Sequence, residues 1–393
     1  MVFNVPWRRA AQPVPEQKAS ATGPVIAYHG SGRVAWTPRD TVSLTRNGFT
    51  ANPVGFRCVK LIAEAAAALP VVCQTAERRY ETHPIRTLLN RPNGGQGRAD
   101  LLEMLYGQIL LTGNGYVEAV GTDAMPLELH VLRSDRVSVV PGSDGWPIAY
   151  IYAVGERKHR FDMSAGQRPI CHIKAFHPQD DHYGLSPMQA AATAMDVHNA
   201  ASRWSKALLD NAARPSGAIV YNGADGQAML TPDQYDRLIH EMEAHHQGAR
   251  NAGRPMLLEG GLDWKPMGFS PSDMEFQKTK EAAGREIATA FGVPPMLIGL
   301  PGDATYANYQ EAHRAFYRLT VLPLAQKVLS ALAEWLNGFE GDTVELVPDL
   351  DRLPALAPER EAQWRRVAEA DFLSDAEKRS LLGLPPLMDN ASS

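Results

Sequence analysis

Phe291-Gly292-Val293-Pro294-Pro295-Met296-Leu297-Ile298-Gly299-Leu300-Pro301-Gly302-Asp303-Ala304-Thr305-Tyr306 is the stretch on which the fold turns. Glycine and proline interrupt it too often for a helix and are too frequent for a central strand. Upstream, Ser272 with Glu275 three residues on reads as a capping box that starts a helix. Phe276, Ala283, Ile287 and Phe291 form its apolar stripe, and Lys278, Lys280, Glu281, Arg285 and Glu286 fill its other faces. Gly292 and Pro294-Pro295 end it, because proline removes a donor and restricts the residue before it. Downstream, Asn308 with Glu311 reads as the cap of a second helix carrying Phe316, Leu319, Leu322, Leu329, Leu332, Trp335 and Leu336, which Pro323 should kink or divide.

A chain of 393 residues is long enough for two or three cores. Its hydrophobic fraction of 44% is that of a globular protein and argues against wholesale disorder. The formal net charge is −5, whereas a protein that grips nucleic acid by broad phosphate neutralisation is normally basic. DNA therefore remains a partner only through local positive charge. Cys58, Cys73 and Cys171 are scattered, odd in number and without C-x-x-C spacing, the pattern of reduced intracellular thiols. No apolar run approaches the ~18 residues of a membrane span. Arg8-Arg9 has no apolar segment behind it, so the reading is a soluble chain, cytoplasmic at synthesis.

Residues 1–40 mix Pro13, Pro15, Gly23, Gly30 and Gly32 with basic and small residues and read as a mobile arm. A helix opens at Asn52-Pro53 and keeps its rhythm through Cys58, Leu61, Ile62, Ala65 and Leu69 to Pro70. Val71 to Gln74 reads as a strand, 83–92 as a short helix and Arg98 to Leu111 as a longer one. Strands follow at 116–120, 127–132, 137–140, 148–154 and 170–176. Helices followed by a meander of strands describe an α+β unit.

Ser186-Pro187-Met188-Gln189 then opens the longest helix, with Ser as N-cap, Pro at N1 and Gln at N3, running to Ala213. At ~1.5 Å per residue it spans about 40 Å, and its many alanines allow close approach on more than one side. Residues 216–269 form a small α/β insert: a strand at 217–221, a helix from Thr231 to Gln247, and a hairpin of 255–259 with 262–267. After Asn337 come a strand at 344–347, a linker at 348–358 and a helix to Ala370 with Trp364 and Val367 facing inward. A last helix is capped by Ser374 with Glu377 and ended by Gly383 and Pro385-Pro386.

The run Phe291 to Gly299, followed by Tyr306-Ala307-Asn308-Tyr309-Gln310-Glu311-Ala312, resembles the portal proteins of long-tailed (siphophage-type) bacteriophages. Leu111-Thr112-Gly113-Asn114-Gly115-Tyr116 and Gly184-Leu185-Ser186-Pro187 resemble further phrases of that family, and the modest length suits the portal of a phage-derived gene transfer agent. The resemblance implies an α+β portal fold that forms a ring-shaped homo-oligomer, twelve subunits in assembled particles. Its parts would be a mobile N-terminal arm (1–40), an α/β wing (41–185), a stem helix (186–215), a clip module (216–269), a second stem helix (270–291), a tunnel loop (292–307), a long kinked wing helix with a strand (308–354) and a helical crown (355–393). It implies a structural role without enzyme activity: a channel at one capsid vertex of the virion, through which double-stranded DNA is packaged and ejected without sequence preference. The implied partners are the terminase large subunit, then head-tail adaptor proteins, and the major capsid protein; no cofactor and no membrane are implied.

Under that resemblance Lys278, Lys280 and Arg285 would give the stem a belt of positive charge, useful because phosphate attraction is blind to sequence and lets DNA slide. Pairing of these lysines with Glu275 or Glu281 is the ordinary alternative. The tunnel-loop candidates Leu300, Pro301, Gly302, Asp303, Ala304, Thr305 and Tyr306 carry one charge, Asp303, which fits a smooth, weakly repelling lining better than a grip. Tyr221, Tyr235, Arg254 and Trp264 are the candidate docking residues of the clip. His172 and the loop His177-Pro178-Gln179-Asp180-Asp181-His182 have metal-ligand chemistry. H-E-x-x-H, a phosphate-binding P-loop and a G-x-S-x-G elbow are all missing, so no metal site and no catalytic residue is assigned. Two rivals stay open: a metal-dependent nuclease or hydrolase using that loop, and a monomeric adaptor that binds proteins through 216–269.

Overall fold

The computed structural model describes residues 36–121, 126–163, 168–210, 217–221, 262–266, 271–301, 305–340 and 343–384, with isolated positions between 233 and 240. For 207–210, 217–221, 262–266, 271–275 and 340 it describes the backbone alone. Residues 37–393 cluster as one unit.

In chain order the elements are α1 (Thr41–Leu44, running on as a π-helical turn Thr45–Thr50), α2 (Pro53–Ala67), β1 (Val71–Gln74), β2 (Arg79–Tyr80), α3 (Pro84–Asn90) and α4 (Arg98–Thr112). Then come β3 (Asn114–Gly121), β4 (Pro126–Leu132), β5 (Val137–Pro141), β6 (Pro147–Val154), β7 (Arg157–Asp162) and β8 (Ile170–Lys174). The second half holds α5 (Pro187–Ala190), α6 (Ala192–Asp210), β9 (Gly217–Tyr221), β10 (Leu262–Pro266) and α7 (Pro271–Ala290). It ends with α8 (Tyr306–Phe316), α9 (Leu322–Glu340), β11 (Glu345–Pro348), α10 (Ala357–Ala368) and α11 (Asp375–Leu381).

All described strand pairs are antiparallel. They form sheets of order β11-β1-β2, β4-β3-β8, β5-β6-β7 and β10-β9. The main core joins α2, α4, α9 and the end of α7: Cys58, Ile62, Leu101, Leu105, Leu329, Leu332 and Ile287 are all buried there. Its α9 face is the apolar stripe that the sequence spacing demands. A second, smaller core lies between the two three-stranded sheets β4-β3-β8 and β5-β6-β7, built from Tyr116, Leu132, Val137, Tyr150, Phe161 and Ile170. Strand β7 was not read from the sequence, because Arg157-Lys158-His159-Arg160 hides its alternation. Gly155, at φ 59, turns β6 back onto it.

Several expectations need correction. The helix opened by Ser186 breaks at Ala191 into α5 and α6, although Ser186 caps it as read, accepting from Gln189 N at 3.0 Å. The second helix is capped by Thr305, not Asn308, and Thr305 Oγ1 accepts from Asn308 N at 3.2 Å. Pro323, expected to kink or divide this helix, follows directly on a π turn over Tyr317–Val321 that separates α8 from α9 and widens the spiral where proline cannot bond, and the rod continues. That rod, Tyr306–Phe339, is long and apolar enough by length and composition to cross a bilayer, which the sequence reading did not expect. Its apolar residues are spaced helically rather than in a run, and Phe316, Val321, Ala325, Leu332 and Leu336 are buried in the protein core. Trp364 does not face inward; it is 41% exposed and donates Nε1–H to Asp351 at 3.0 Å. Strand 262–266 pairs with 217–221, while 255–259, most of the helix from Thr231 and residues 1–35 of the expected arm 1–40 lie outside the described residues. The end of that arm is fixed, with Thr37 N donating to Asp196 at 3.1 Å and Asp40 capping α1.

Candidate functional site

Helices α6 and α7 pack side by side, and their sequences explain how closely. Ala191, Ala192, Ala194 and Ala201 are buried, as are Ala283, Ile287 and Ala288, so small side chains line the contact. Further along, Trp204 stacks on Phe276 with ring centroids 4.2 Å apart, which explains why Phe276 belongs to the apolar stripe while still 39% exposed. Ala190 and Ala200 stay exposed.

The base of this pair is tied to α1 and α2 by buried amides. Asn52 caps α2 through Gly55 N (2.9 Å) and donates to Asn199 Oδ1 (2.9 Å), which in turn donates from Nδ2 to the carbonyl of Asn47 (2.8 Å). His198 lies against Asn52 Nδ2 at 3.3 Å; burial, and then the charge of Lys280, holds its imidazole below the usual range.

The three candidate cations of α7 separate. Lys278 and Arg285, seven residues apart, share one exposed face, whereas Lys280 is half-buried on the side of His198. Among the described residues neither lysine is ion-paired with Glu281; the side chain of Glu275 lies outside them. Arg285 Nη2 donates to the carbonyl of Pro301, so it holds the start of the loop. Leu300 lies over Gly284, where an added Cβ would stand 3.4 Å from both leucine methyls. Tyr306 is 79% exposed and its hydroxyl accepts from Gln310 at 3.0 Å. Gly302, Asp303 and Ala304 lie outside the described residues, as do the Ser272–Glu275 cap side chains, Tyr235, Arg254 and the side chains of Tyr221 and Trp264. Of the latter two, the backbone registers Tyr221 against Leu262 and Trp264 against Ile219.

A second junction fixes where α5 begins, and sequence reading missed it. Asn114 Oδ1 accepts from Gly184 N (2.8 Å) and from His172 Nε2 (3.1 Å), which leaves His172 Nδ1 to accept from Tyr150 OH (3.3 Å). Tyr116 stacks on the imidazole at 4.3 Å. Burial, helped by Lys174 and His182, pushes His172 down to about 3, so it is neutral. The signal was the separate phrases Gly113–Tyr116 and Gly184–Pro187, whose spatial meeting no spacing rule gives.

The histidine–aspartate loop uses its polar atoms on itself. His177 Nδ1 accepts from Gln179 N, and Asp180 Oδ1 accepts from His182 N (2.8 Å) and Tyr183 N (2.9 Å), which holds that carboxyl below its usual range. Lys174 Nζ donates to the Asp181 carbonyl. Among the described residues no three His, Cys, Asp or Glu side chains are grouped to hold a metal ion. Cys58, Cys73 and Cys171 are buried thiols, and burial pushes those of Cys58 and Cys171 up to about 12.

With this geometry in hand, comparison with known proteins gives a consistent answer. A chain in the neck of an empty gene transfer agent (GTA) particle, solved with C6 symmetry, is 72% identical, with a TM-score of 0.76 over 91% of this chain and 97% of that one. A chain in the neck of a native GTA particle, solved with C12 symmetry, is 71% identical, with a TM-score of 0.75 over the same shares. An uncharacterized protein of Rickettsia bellii is 37% identical over 88% of this chain and 90% of its own length. Residues 53–383 match the family described as phage portal protein, and the chain therefore belongs to the phage portal protein family.

Proposed function

We propose that the chain is one subunit of the portal ring at a capsid vertex, in a gene transfer agent or a closely related phage-type particle, and that double-stranded DNA passes through the ring. The observation that carries this reading is the 72% identity, across nearly the whole length of both chains, with a chain of the GTA neck. The C12 symmetry of the related neck supports a count of twelve. In this reading α6 and α7 are the stem, 216–269 is the clip that docks the terminase motor and then the head-tail adaptors, 41–185 with 308–354 is the wing, and 355–393 is the crown. The role is structural, with no catalytic step of its own.

Lys278, exposed and without an ion-pair partner among the described residues, supports a stem surface that meets phosphate, and a net charge of −5 per subunit favours passage over sticking. Arg285, already bonded to Pro301, serves as the holder of the loop. Electron microscopy of the purified full-length chain tests the proposal. Rings of about twelve subunits with a central hole are expected. A chain that stays monomeric both alone and with its capsid proteins would overturn it.

A further inference from the structure

The first two turns of α8 have no buried side. Thr305–Glu311 are exposed without exception, with Tyr306 and Tyr309 among them. Helical turns gain most of their stability from a packed apolar face, and large aromatic rings gain from being covered. A helix end of this kind is completed by something that packs on it.

Tyr309 also begins an aromatic ladder at i, i+4 and i+8. Its ring lies nearly parallel to the imidazole of His313, with centroids 6.4 Å apart, and His313 meets Tyr317 edge-on at 5.0 Å. Tyr309, 49% exposed, is the open end of the ladder, whereas His313 and Tyr317 are half-buried. Beside it a groove of about 210 Å³ opens between α8 and residues 354–358, walled by Tyr309, His313, Pro354 and Pro358. Stiff rings and prolines present a preorganised apolar surface, the kind that protein partners bury.

Charge decides against nucleic acid as the occupant. Arg314 is paired with Glu311 at 3.2 Å and Arg318 with Glu359 at 3.8 Å, so this face offers phosphate no surplus of positive charge among the described residues. In a twelve-fold ring each subunit has a neighbour on either side, and a cyclic contact joins two unlike faces of the same chain. Resting on the portal-ring reading, we propose that the start of α8 and the groove beside it are one of those two faces, covered by the neighbouring copy of the chain.

Maleimide labelling of full-length Gln310→Cys, as separate subunits and as purified rings free of DNA, tests the proposal. Gln310 lines the groove one residue beyond Tyr309, and the three native thiols are buried, so the new one carries the signal. Labelling about tenfold slower or more in the rings is expected. Tyr309→Ala should raise the concentration for half-maximal ring assembly about tenfold or more, with thermal unfolding of the separate subunit as in the wild type. Equal labelling in rings and subunits would mark an open face, such as a channel wall, and overturns the proposal while leaving the ring intact. Ring assembly by Tyr309→Ala at the wild-type concentration also overturns it. A chain that forms no ring, alone or with its capsid proteins, overturns the portal reading and this face with it.

Discussion

Asn114 and Gly184 stand 70 residues apart in sequence and are joined at 2.8 Å, the side-chain oxygen of one accepting from the backbone N–H of the other. The same oxygen accepts a hydrogen bond from His172 Nε2–H, so one buried amide ties β3 to β8 and to the loop that leads into α5. Asn114→Ala leaves two buried donors without an acceptor. It should cost about 2–4 kcal/mol in urea unfolding, with an unchanged slope. A loss below ~1 kcal/mol would mean that water replaces the amide.

The glycines at this junction should tolerate nothing larger. A Cβ on Gly184 would stand 2.1 Å from the Gly113 carbonyl oxygen, and one on Gly113, already at φ 77, would stand 2.3 Å from the Gly184 oxygen. Gly184→Ala should therefore destabilise more than Asn114→Ala, to the point of losing soluble protein. Gly338 supplies the contrast. It lies within helix α9 with open space around its Cβ position, so Gly338→Ala should raise stability by about 0.5–1 kcal/mol. Thermal midpoints of the two variants decide the matter.

Acid should act through His172. Its folded value of about 3 lies below the ordinary 6.5, so between those limits the unfolded chain binds a proton that the folded chain refuses. The contribution of His172 is constant above pH 6.5 and is lost as pH falls from there towards 3. From pH 7 to pH 5 the wild type should lose about 2 kcal/mol more than His172→Gln, measured by urea unfolding. Equal losses would show that the imidazole is solvated.

Legibility differed by the kind of signal. Local chemistry was readable: Asn52-Pro53, Ser186-Pro187 and the Ser374–Glu377 box all cap helices where the sequence says. The α9 stripe was readable too, because Leu329, Leu332 and Leu336 keep helical spacing over two turns. What failed was non-local or overridden. Thr305 outcompetes Asn308 as the cap because the chain enters α8 one turn earlier than the polar pattern marks. β7 is held by its neighbour β6 rather than by its own alternation. At the site, sequence gave three cations on one helix but not their phase: seven residues bring Lys278 and Arg285 together, and two residues send Lys280 to the other side.

The α6–α7 contact includes a half-buried tryptophan stacked on an exposed phenylalanine, a geometry that a double-mutant cycle can weigh. Trp204→Ala and Phe276→Ala each remove one ring of the 4.2 Å stack. If the rings act on each other, the double variant should lose less than the sum of the singles by about 0.5–1.5 kcal/mol. Strict additivity in urea unfolding would assign both rings to other contacts.

Lys278 and Arg285 share a face of α7 and should nevertheless respond differently, because among the described residues Arg285 alone of the two has a hydrogen-bond partner, the Pro301 carbonyl. Lys278→Ala removes an exposed charge, so stability should stay within about 0.5 kcal/mol. On the channel reading, nuclease-protected DNA per particle should fall, with the deficit growing as salt is lowered and phosphate attraction strengthens. Arg285→Ala should instead cost about 1 kcal/mol and loosen the loop, seen as faster amide exchange at Leu300 and its neighbours. Reversed outcomes, with Lys278 altering stability and Arg285 altering only DNA content, would transfer the phosphate contact from the lysine to the arginine. Lys280→Ala completes the test: half-buried beside His198, it should change DNA content least of the three.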